Sequence, residues 1–144
     1  MKIISILLFL LFSTPILWNG NLNTTLKQAK TSDKNVLINF SGSDWCGPCI
    51  RLKKEIFESE AFTDYASDNL LLVRADFPRQ KKNKPGAEQV KLNESLAERY
   101  NPQGKFPFTL LVDQNGKILK SWDGLPKVSA KDFVKEISKL HSKK

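Results

Sequence analysis

Beyond the N-terminal segment, stretches with helical spacing of apolar residues alternate with short apolar runs that are typical of buried strands. The spacing predicts a helix over 22–33 and a strand, NVLINF, over 35–40. A second helical pattern covers 46–57, and a second apolar strand, LLLVRADF, covers 70–77. Because a helix crosses over between them, these two strands are predicted to be parallel.

The second half of the chain carries a polar loop and a hairpin. The loop covers 78–86, and a helix with apolar residues spaced by four is predicted over 92–100. Strands at 108–113 and 117–122 flank the turn DQNG, a hairpin signal. The last helix is predicted to begin at Ser129, in a Ser-x-x-Asp capping box. The pattern therefore predicts an α/β fold, with a mixed sheet between helices, a parallel β-α-β half, an antiparallel hairpin and a C-terminal helix.

The N-terminal segment differs from the rest. A single lysine is followed by IISILLFLLFSTPILW over 3–18, the pattern of a secretory signal peptide. The run is short for a membrane span, which needs roughly 20 apolar residues. We expect residues 1–20 to be a cleaved signal peptide or an uncleaved anchor, and residues 21–144 to form one domain. The protein is then exported, periplasmic or secreted, and meets a membrane only if the segment remains.

Charge narrows the range of partners. The 144 residues carry a formal net charge of +8, and basic residues cluster in RQKKNK over 79–84 and KLHSKK over 139–144. This balance favours acidic partners or anionic membrane surfaces, and it also serves solubility. The chain contains no nucleic-acid-binding motif, so no nucleic acid partner is expected.

The two cysteines of the chain, Cys46 and Cys49, stand in the motif WCGPC. A structural zinc site needs four ligands, and the single histidine, His141, lies in the tail, so no metal is expected. A structural disulfide closing so short a loop would constrain the unfolded chain little. Free buried cysteines are disfavoured because Gly47 and Pro48 between them indicate an exposed turn. A redox dithiol, which needs no cofactor, fits best.

The position of the motif explains its reactivity. A helix start leaves backbone N–H groups unpaired and carries positive partial charge, which stabilises a thiolate. The thiolate is the form that attacks a disulfide, so Cys46 is predicted to be the nucleophile. Cys49, almost one turn further on and less exposed, would resolve a mixed disulfide. Pro48 suits the first helical turn, Gly47 lets another backbone approach, and Trp45 forms an apolar wall.

The motif WCGPC, after a strand and opening a helix, resembles the thioredoxin family. A second segment, YNPQGKFPFTLLVDQNGKIL over 100–119, is similar to the family's segment that carries a proline after a cis peptide bond. Here that bond would join Phe106 to Pro107. The resemblance covers roughly residues 22–141 and implies a thioredoxin-like fold. More narrowly, SGSDWCGPC followed by a basic helix is similar to exported thioredoxin-like proteins.

The resemblance implies a groove for an extended substrate segment, in which the backbone of Phe106 pairs with the client as an added strand would. It also implies that the partners are disulfide-containing or dithiol proteins, together with a redox donor or acceptor that the sequence does not identify. The residues predicted to line the groove are Trp45, Gly47, Pro48, Phe106, Pro107 and Gly124.

One position departs from the family pattern. Thioredoxins usually carry a buried aspartate before the phenylalanine of the strand that leads to the motif, and this chain has Asn39 before Phe40. Asparagine cannot act as a base. Proton transfer from Cys49 would therefore need water, or Asp44 if its side chain points inward. We expect Asp44 instead to be a surface loop residue, whose negative charge would oppose thiolate formation.

The interpretation that best fits these features is a thiol–disulfide oxidoreductase. Gly47 and Pro48 between the cysteines resemble the reducing members of the family, which favours a disulfide reductase. A disulfide oxidase or isomerase is the alternative within the same chemistry. A different class is a binding module that uses the groove without turnover, with specificity supplied by the basic loop at 79–84.

Overall fold

A computed structural model describes residues 15–141 of the chain. A five-stranded sheet lies at its centre, with the strand order β1-β3-β2-β4-β5. The strands are β1 (Trp18–Asn19), β2 (Asn35–Ser41), β3 (Leu70–Asp76), β4 (Phe108–Val112) and β5 (Ile118–Asp123).

The helices alternate with these strands along the chain. A π-helical turn, Lys53–Phe57, continues α2, and a short 3-10 turn, Lys81–Asn83, lies in the loop after β3. The helices are α1 (Leu22–Ser32), α2 (Gly47–Leu52), α3 (Glu60–Asn69), α4 (Ala87–Tyr100) and α5 (Ala130–Lys139).

Strand directions follow the sequence prediction. β2 and β3 are parallel, with Asn35 opposite Leu70, and β4 and β5 form an antiparallel hairpin. β2 also pairs with β4 in antiparallel direction, so the central sheet is mixed. The predicted α/β fold class, with a parallel β-α-β half and a C-terminal hairpin and helix, is confirmed.

Apolar side chains on the two faces of the sheet form two core clusters. Phe62 of α3 and Phe133 of α5 pack with Leu37 and Leu111 on one face. Ala29 of α1 and Leu96 of α4 pack against the other face. A three-layer arrangement follows, because both faces of the sheet are apolar and each needs helices to cover it.

Helix α3 was not predicted. The pattern from Cys46 ended at Phe57, but the chain starts a new helix at Glu60, where the Ser59 hydroxyl accepts a hydrogen bond from the Phe62 N–H at 3.2 Å. A serine N-cap of this kind ends one helix pattern and begins another. The predicted cap of the last helix is confirmed, since Ser129 accepts from the Asp132 N–H at 3.1 Å.

Strand β1 was also not predicted. Its two residues, Trp18 and Asn19, pair in parallel with Leu72 and Val73. Two residues carry too little periodicity to identify a strand, and these two directly follow a long apolar run. Residues 1–14 of the predicted signal or anchor and 142–144 of the basic tail lie outside the described residues. Over 15–141, no helix is long and apolar enough to cross a membrane.

Candidate active site

The dithiol follows the C-terminal end of β2, the central strand of the sheet. Cys46 and Cys49 form a disulfide, and Cys46, with extended backbone, is the N-cap of α2. The Cys49 N–H donates to Cys46 Sγ at 3.3 Å. The two residues are 5% and 4% exposed, so the oxidised form does not show the expected difference in accessibility between them. The first sulfur therefore sits among the amides of a helix start.

The carboxylate of Asp76 joins the turn before Cys46 to the sheet. Asp76, at the end of β3, accepts hydrogen bonds from the N–H of Ser43 at 2.9 Å and from its hydroxyl. These bonds join the turn to the neighbouring strand. The position of the dithiol relative to the sheet thus depends on Asp76 as well as on the motif.

Asp44 holds the loop after β3. Its Oδ1 accepts from the Arg79 N–H at 2.9 Å, and its Oδ2 accepts from the Gln80 N–H and Asn83 Nδ2, both at 3.0 Å. The backbone hydrogen bond from Arg79, followed by the one from Asn83, lowers the pKa of Asp44 below its ordinary value. The carboxylate therefore faces this loop, and the hypothesis that Asp44 points inward to take the proton of Cys49 is wrong.

The indole of Trp45 folds back over the turn. Its Nε1 donates to the Phe77 carbonyl at 2.7 Å, and its ring lies edge-on to Phe106 with 5.4 Å between centroids. The guanidinium of Arg79 lies 3.9 Å from the centre of the indole ring. Gly42 leaves room for the indole, since a Cβ there would lie 2.3 Å from Trp45 Cε2.

The proline loop approaches the dithiol from β4. The Phe106–Pro107 peptide bond is cis, as the resemblance predicts. The Gly124 N–H donates to the Pro107 carbonyl at 2.9 Å, and Gly124 has a φ of 82°, a conformation that favours glycine. This hydrogen bond joins the end of β5 to the proline loop that precedes β4.

An open groove of about 620 Å³ runs from this loop along α2. It is lined by four of the predicted residues, Pro48, Phe106, Pro107 and Gly124. Trp45 contacts Phe106 from the side, and a Cβ on Gly47 would meet no atom within 4 Å, so the backbone there is open to approach. The remaining wall was not predicted from the sequence, and it consists of Arg51, Glu55, Leu125, Pro126, Lys127, Val128 and Ser129.

Asn39 is 3% exposed in β2, and its Nδ2 donates to Thr109 Oγ1 on β4 at 3.1 Å. A neutral amide is thus hydrogen-bonded to a hydroxyl at the position where the family usually buries a carboxylate.

Across residues 15–141, no three His, Cys, Asp or Glu side chains are grouped so as to bind a metal.

Comparisons with known proteins agree with this geometry. The family described as thioredoxin-like domain matches residues 22–141. The disulfide bond reductase DsbH of Chlamydia pneumoniae is 37% identical over 94 residues, which are 65% of this chain and 55% of that protein. The thioredoxin-related protein DsbJ of the same organism is 30% identical over 79 residues, 55% of this chain and 22% of that protein. The chain thus spans about half of the first relative's length and less of the second's.

Solved structures show the same fold. A DsbH oxidoreductase structure is 27% identical, with a TM-score of 0.79, and the match covers 89% of this chain and 85% of that one. A disulphide isomerase from Xylella fastidiosa is 22% identical, with a TM-score of 0.60, over 81% of this chain and 87% of that one.

Proposed function

The chain belongs to the thioredoxin-like domain family, and from this membership we propose that it is a thiol–disulfide oxidoreductase acting on other proteins through Cys46 and Cys49. The observation that carries the proposal is the disulfide between these residues at the start of α2, beside the groove that contains Pro107. The DsbH and DsbJ relatives, named for disulfide reduction and for thioredoxin, support it.

The reaction is an exchange of two electrons. The Cys46 thiolate attacks one sulfur of a client disulfide, and the other client sulfur leaves as a thiolate that takes up a proton. The Cys49 thiolate then attacks Cys46 Sγ in the mixed disulfide, which releases the second client sulfur. The client is reduced, and the Cys46–Cys49 disulfide present in this structure is the oxidised product. A dithiol donor must return two electrons before the next cycle.

The local geometry supports these roles. The Cys49 N–H already donates to Cys46 Sγ at 3.3 Å, and the same bond would stabilise the Cys46 thiolate after reduction. Pro48 removes a donor at a helix position where no intrahelical partner exists. The open backbone at Gly47 and the groove wall at Phe106 and Pro107 leave a path for an extended client segment.

The test is reduction of insulin with dithiothreitol as donor. The wild-type protein accelerates it and Cys46→Ser abolishes the acceleration, whereas reduced Cys49→Ser mixed with insulin in the absence of dithiothreitol accumulates a mixed disulfide that added dithiothreitol releases. A binding module without turnover would show no difference between wild type and Cys46→Ser. Redox titration against glutathione gives the reduction potential and so the direction of electron flow. For a reductase we expect a potential closer to that of thioredoxin, about −270 mV, than to that of the strong oxidant DsbA, about −120 mV.

The proposed setting is outside the cytoplasm, with client proteins that contain disulfides and with the N-terminal segment predicted over 1–20 as signal peptide or anchor. Because Trp18 and Asn19 form β1, cleavage of a signal peptide must fall before Trp18 for the sheet to keep this strand. The apolar run at 3–18 after Lys2 supports export. Fusing residues 1–20 to a reporter enzyme that is active only after export tests this part separately from the redox chemistry.

A further inference from the structure

The loop after β3 concentrates positive charge. Its basic stretch, residues 79–84, reads RQKKNK and contains one arginine and three lysines without an acidic residue. All six residues are exposed. The ion pairs that form within residues 15–141 involve other side chains, so Lys81, Lys82 and Lys84 keep their charge available to solvent.

This basic loop is held at a fixed place beside the dithiol. Asp44, two residues before Cys46, binds the backbone N–H groups of Arg79 and Gln80 and the side chain of Asn83. One carboxylate thus joins the start and the middle of the loop to the active-site turn.

The Arg79 side chain extends the contact to the groove. Its guanidinium lies over the indole of Trp45, whose edge meets Phe106 next to Pro107. The cations therefore continue the surface that a client segment crosses when it reaches Cys46. Ion pairs at such a rim raise association rates and select partners by charge.

We propose that the basic loop recognises an acidic segment of the client protein that flanks the cysteine being exchanged. The inference rests on the proposed function and names the class of client for the same site. A protein segment fits better than a membrane, because a lipid surface against this loop would cover the disulfide and the groove beside it.

The experiment compares three synthetic peptides that share one intramolecular disulfide and differ only in flanking residues, which are glutamate, glutamine or lysine. The protein as a full chain is mixed with each peptide and with dithiothreitol as the electron donor, at low and at physiological ionic strength, and the rate without protein is subtracted. We expect kcat/KM for the glutamate peptide to exceed that for the glutamine peptide about tenfold at low salt, and the ratio to fall as salt rises.

The loop variant carries Lys81→Gln, Lys82→Gln and Lys84→Gln. Its matched control carries Lys30→Gln, Lys117→Gln and Lys139→Gln, which make the same charge change at exposed positions. These control sites lie in the last turn of α1, directly before β5 and at the end of α5, so they are at the opposite end of the sheet from the dithiol. We expect the loop variant to bring the glutamate-to-glutamine ratio close to one and the control to keep the wild-type ratio.

The glutamine peptide separates the proposed oxidoreductase activity from the proposed recognition of acidic segments. Its flanks are uncharged, so its reduction by the wild-type protein tests the activity independently of any charge recognition by the loop. If no peptide is reduced, the same peptides with serine in place of cysteine are titrated against the oxidised protein. Weaker binding of the glutamate peptide by the loop variant than by the control supports recognition, and equal binding overturns it.

The membrane alternative is tested by sedimentation with vesicles of phosphatidylglycerol and phosphatidylcholine. If the loop variant loses vesicle binding relative to the control while its peptide ratio stays at the wild-type value, the loop serves a membrane and the proposal is overturned. An unchanged ratio in the loop variant overturns it whatever the vesicles show.

Discussion

Gly42 and Trp45 are packed so closely that no side chain fits on Gly42, because a Cβ there would lie 2.3 Å from Cε2 of the indole. The indole covers the turn before Cys46 and is held by its bond to the Phe77 carbonyl and by its contact with Phe106. The glycine therefore determines where the apolar wall beside the dithiol stands.

Replacing Gly42 with alanine should displace the indole. Overpacking of this kind typically costs about 1–3 kcal/mol of unfolding free energy. The Trp45–Phe77 hydrogen bond should also weaken, since the ring must move, and kcat/KM for insulin should fall. Urea titration and insulin reduction measure the two effects. Gly47→Ala serves as the stability control, because a Cβ there meets no atom within 4 Å. A Gly42→Ala protein as stable as Gly47→Ala would contradict the packing argument.

Strand β1 should contribute to stability. The Trp18 ring packs at a tilt against Phe57, with 5.1 Å between centroids, and lies under the Arg74 guanidinium at 4.0 Å, while Asn19 Nδ2 donates to the Leu72 carbonyl. A chain that begins at residue 21 loses these contacts and exposes the apolar surface beneath them. Relative to a chain that begins at residue 15, it should lose about 2–4 kcal/mol of unfolding free energy in urea.

The Trp18→Ala substitution in the longer chain is the comparison for that truncation. It removes the ring but keeps the strand pairing, so its loss should be smaller than that of the truncated chain. Identical urea midpoints for chains beginning at 15 and at 21 would show that the stable domain begins at residue 21, as the sequence predicts, and does not need β1.

The sheet and most helices could be predicted because their apolar periodicity is strong and local. NVLINF and LLLVRADF are mostly apolar runs, and both form interior strands of the sheet. β1 could not be predicted because its partner, β3, lies more than fifty residues away and supplies the pairing. α3 could not be predicted because its apolar spacing is sparse, with only Phe62 and Ala66 buried in ten residues.

The reactive centre was more predictable than its surroundings. Cys46, Cys49 and Pro107 stand in short motifs, whereas Arg79 meets Trp45 only because β2 and β3 are adjacent. Asp44 shows the limit most clearly. The sequence predicts a surface loop residue there, but its hydrogen-bond partners lie 35 and more residues away, in a loop whose proximity no local pattern reveals.

Ionisation of Glu136 should make the free energy of unfolding fall as the pH is lowered into the acid range. Its Oε2 accepts from Trp122 Nε1 at 3.0 Å and pairs with Lys120 Nζ at 3.1 Å. The Trp122 hydrogen bond, then that of Lys120, lowers the pKa of Glu136. A lowered pKa in the folded state stabilises the protein above the unfolded pKa, about 4.3, and this contribution is lost as pH falls through the folded value.

Glu136→Gln keeps the shape and an acceptor for Trp122 but removes the ionisation. Wild type should therefore lose more unfolding free energy than Glu136→Gln between pH 5 and pH 3, by about 1 kcal/mol or less because the pair is partly exposed. Urea titrations at several pH values measure the difference. Parallel curves for the two proteins would show that this carboxylate has the same pKa folded and unfolded.

Asn39→Asp restores the carboxyl that the family usually buries. Burial should raise the pKa of the new carboxyl above its unfolded value, about 3.9, so the penalty is absent at low pH and grows as pH rises through that range. A tenfold weaker acid in the folded state than in the unfolded state costs about 1.4 kcal/mol of unfolding free energy at neutral pH. We expect this carboxyl, buried in the strand that leads to the dithiol, to exchange a proton with Cys49, so the pH profile of insulin reduction should gain an ionisation.

Asn35→Asp is the matched control for this profile. Asn35 is 2% exposed in the same strand, but it lies at the end remote from the dithiol, where its Nδ2 meets the Leu140 carbonyl. This variant should lose stability with rising pH as Asn39→Asp does, yet leave the pH profile of the reaction unchanged. The same new ionisation in both variants would argue against proton exchange at Cys49.

Gly124→Ala should separate the groove from the fold. Gly124 has a φ of 82°, and a Cβ there meets no protein atom within 4 Å, so alanine adds backbone strain of about 1–2 kcal/mol and a methyl group in the groove beside Pro107. We expect kcat/KM for insulin to fall about tenfold, through KM, because the methyl occupies space that the client backbone needs. Gly104→Ala is matched to it, with a φ of 64° and open space around its Cβ, but it does not line the groove. Both variants should lose similar unfolding free energy in urea, and only Gly124→Ala should change KM. Equal KM values in the two variants would place the client path elsewhere on the surface.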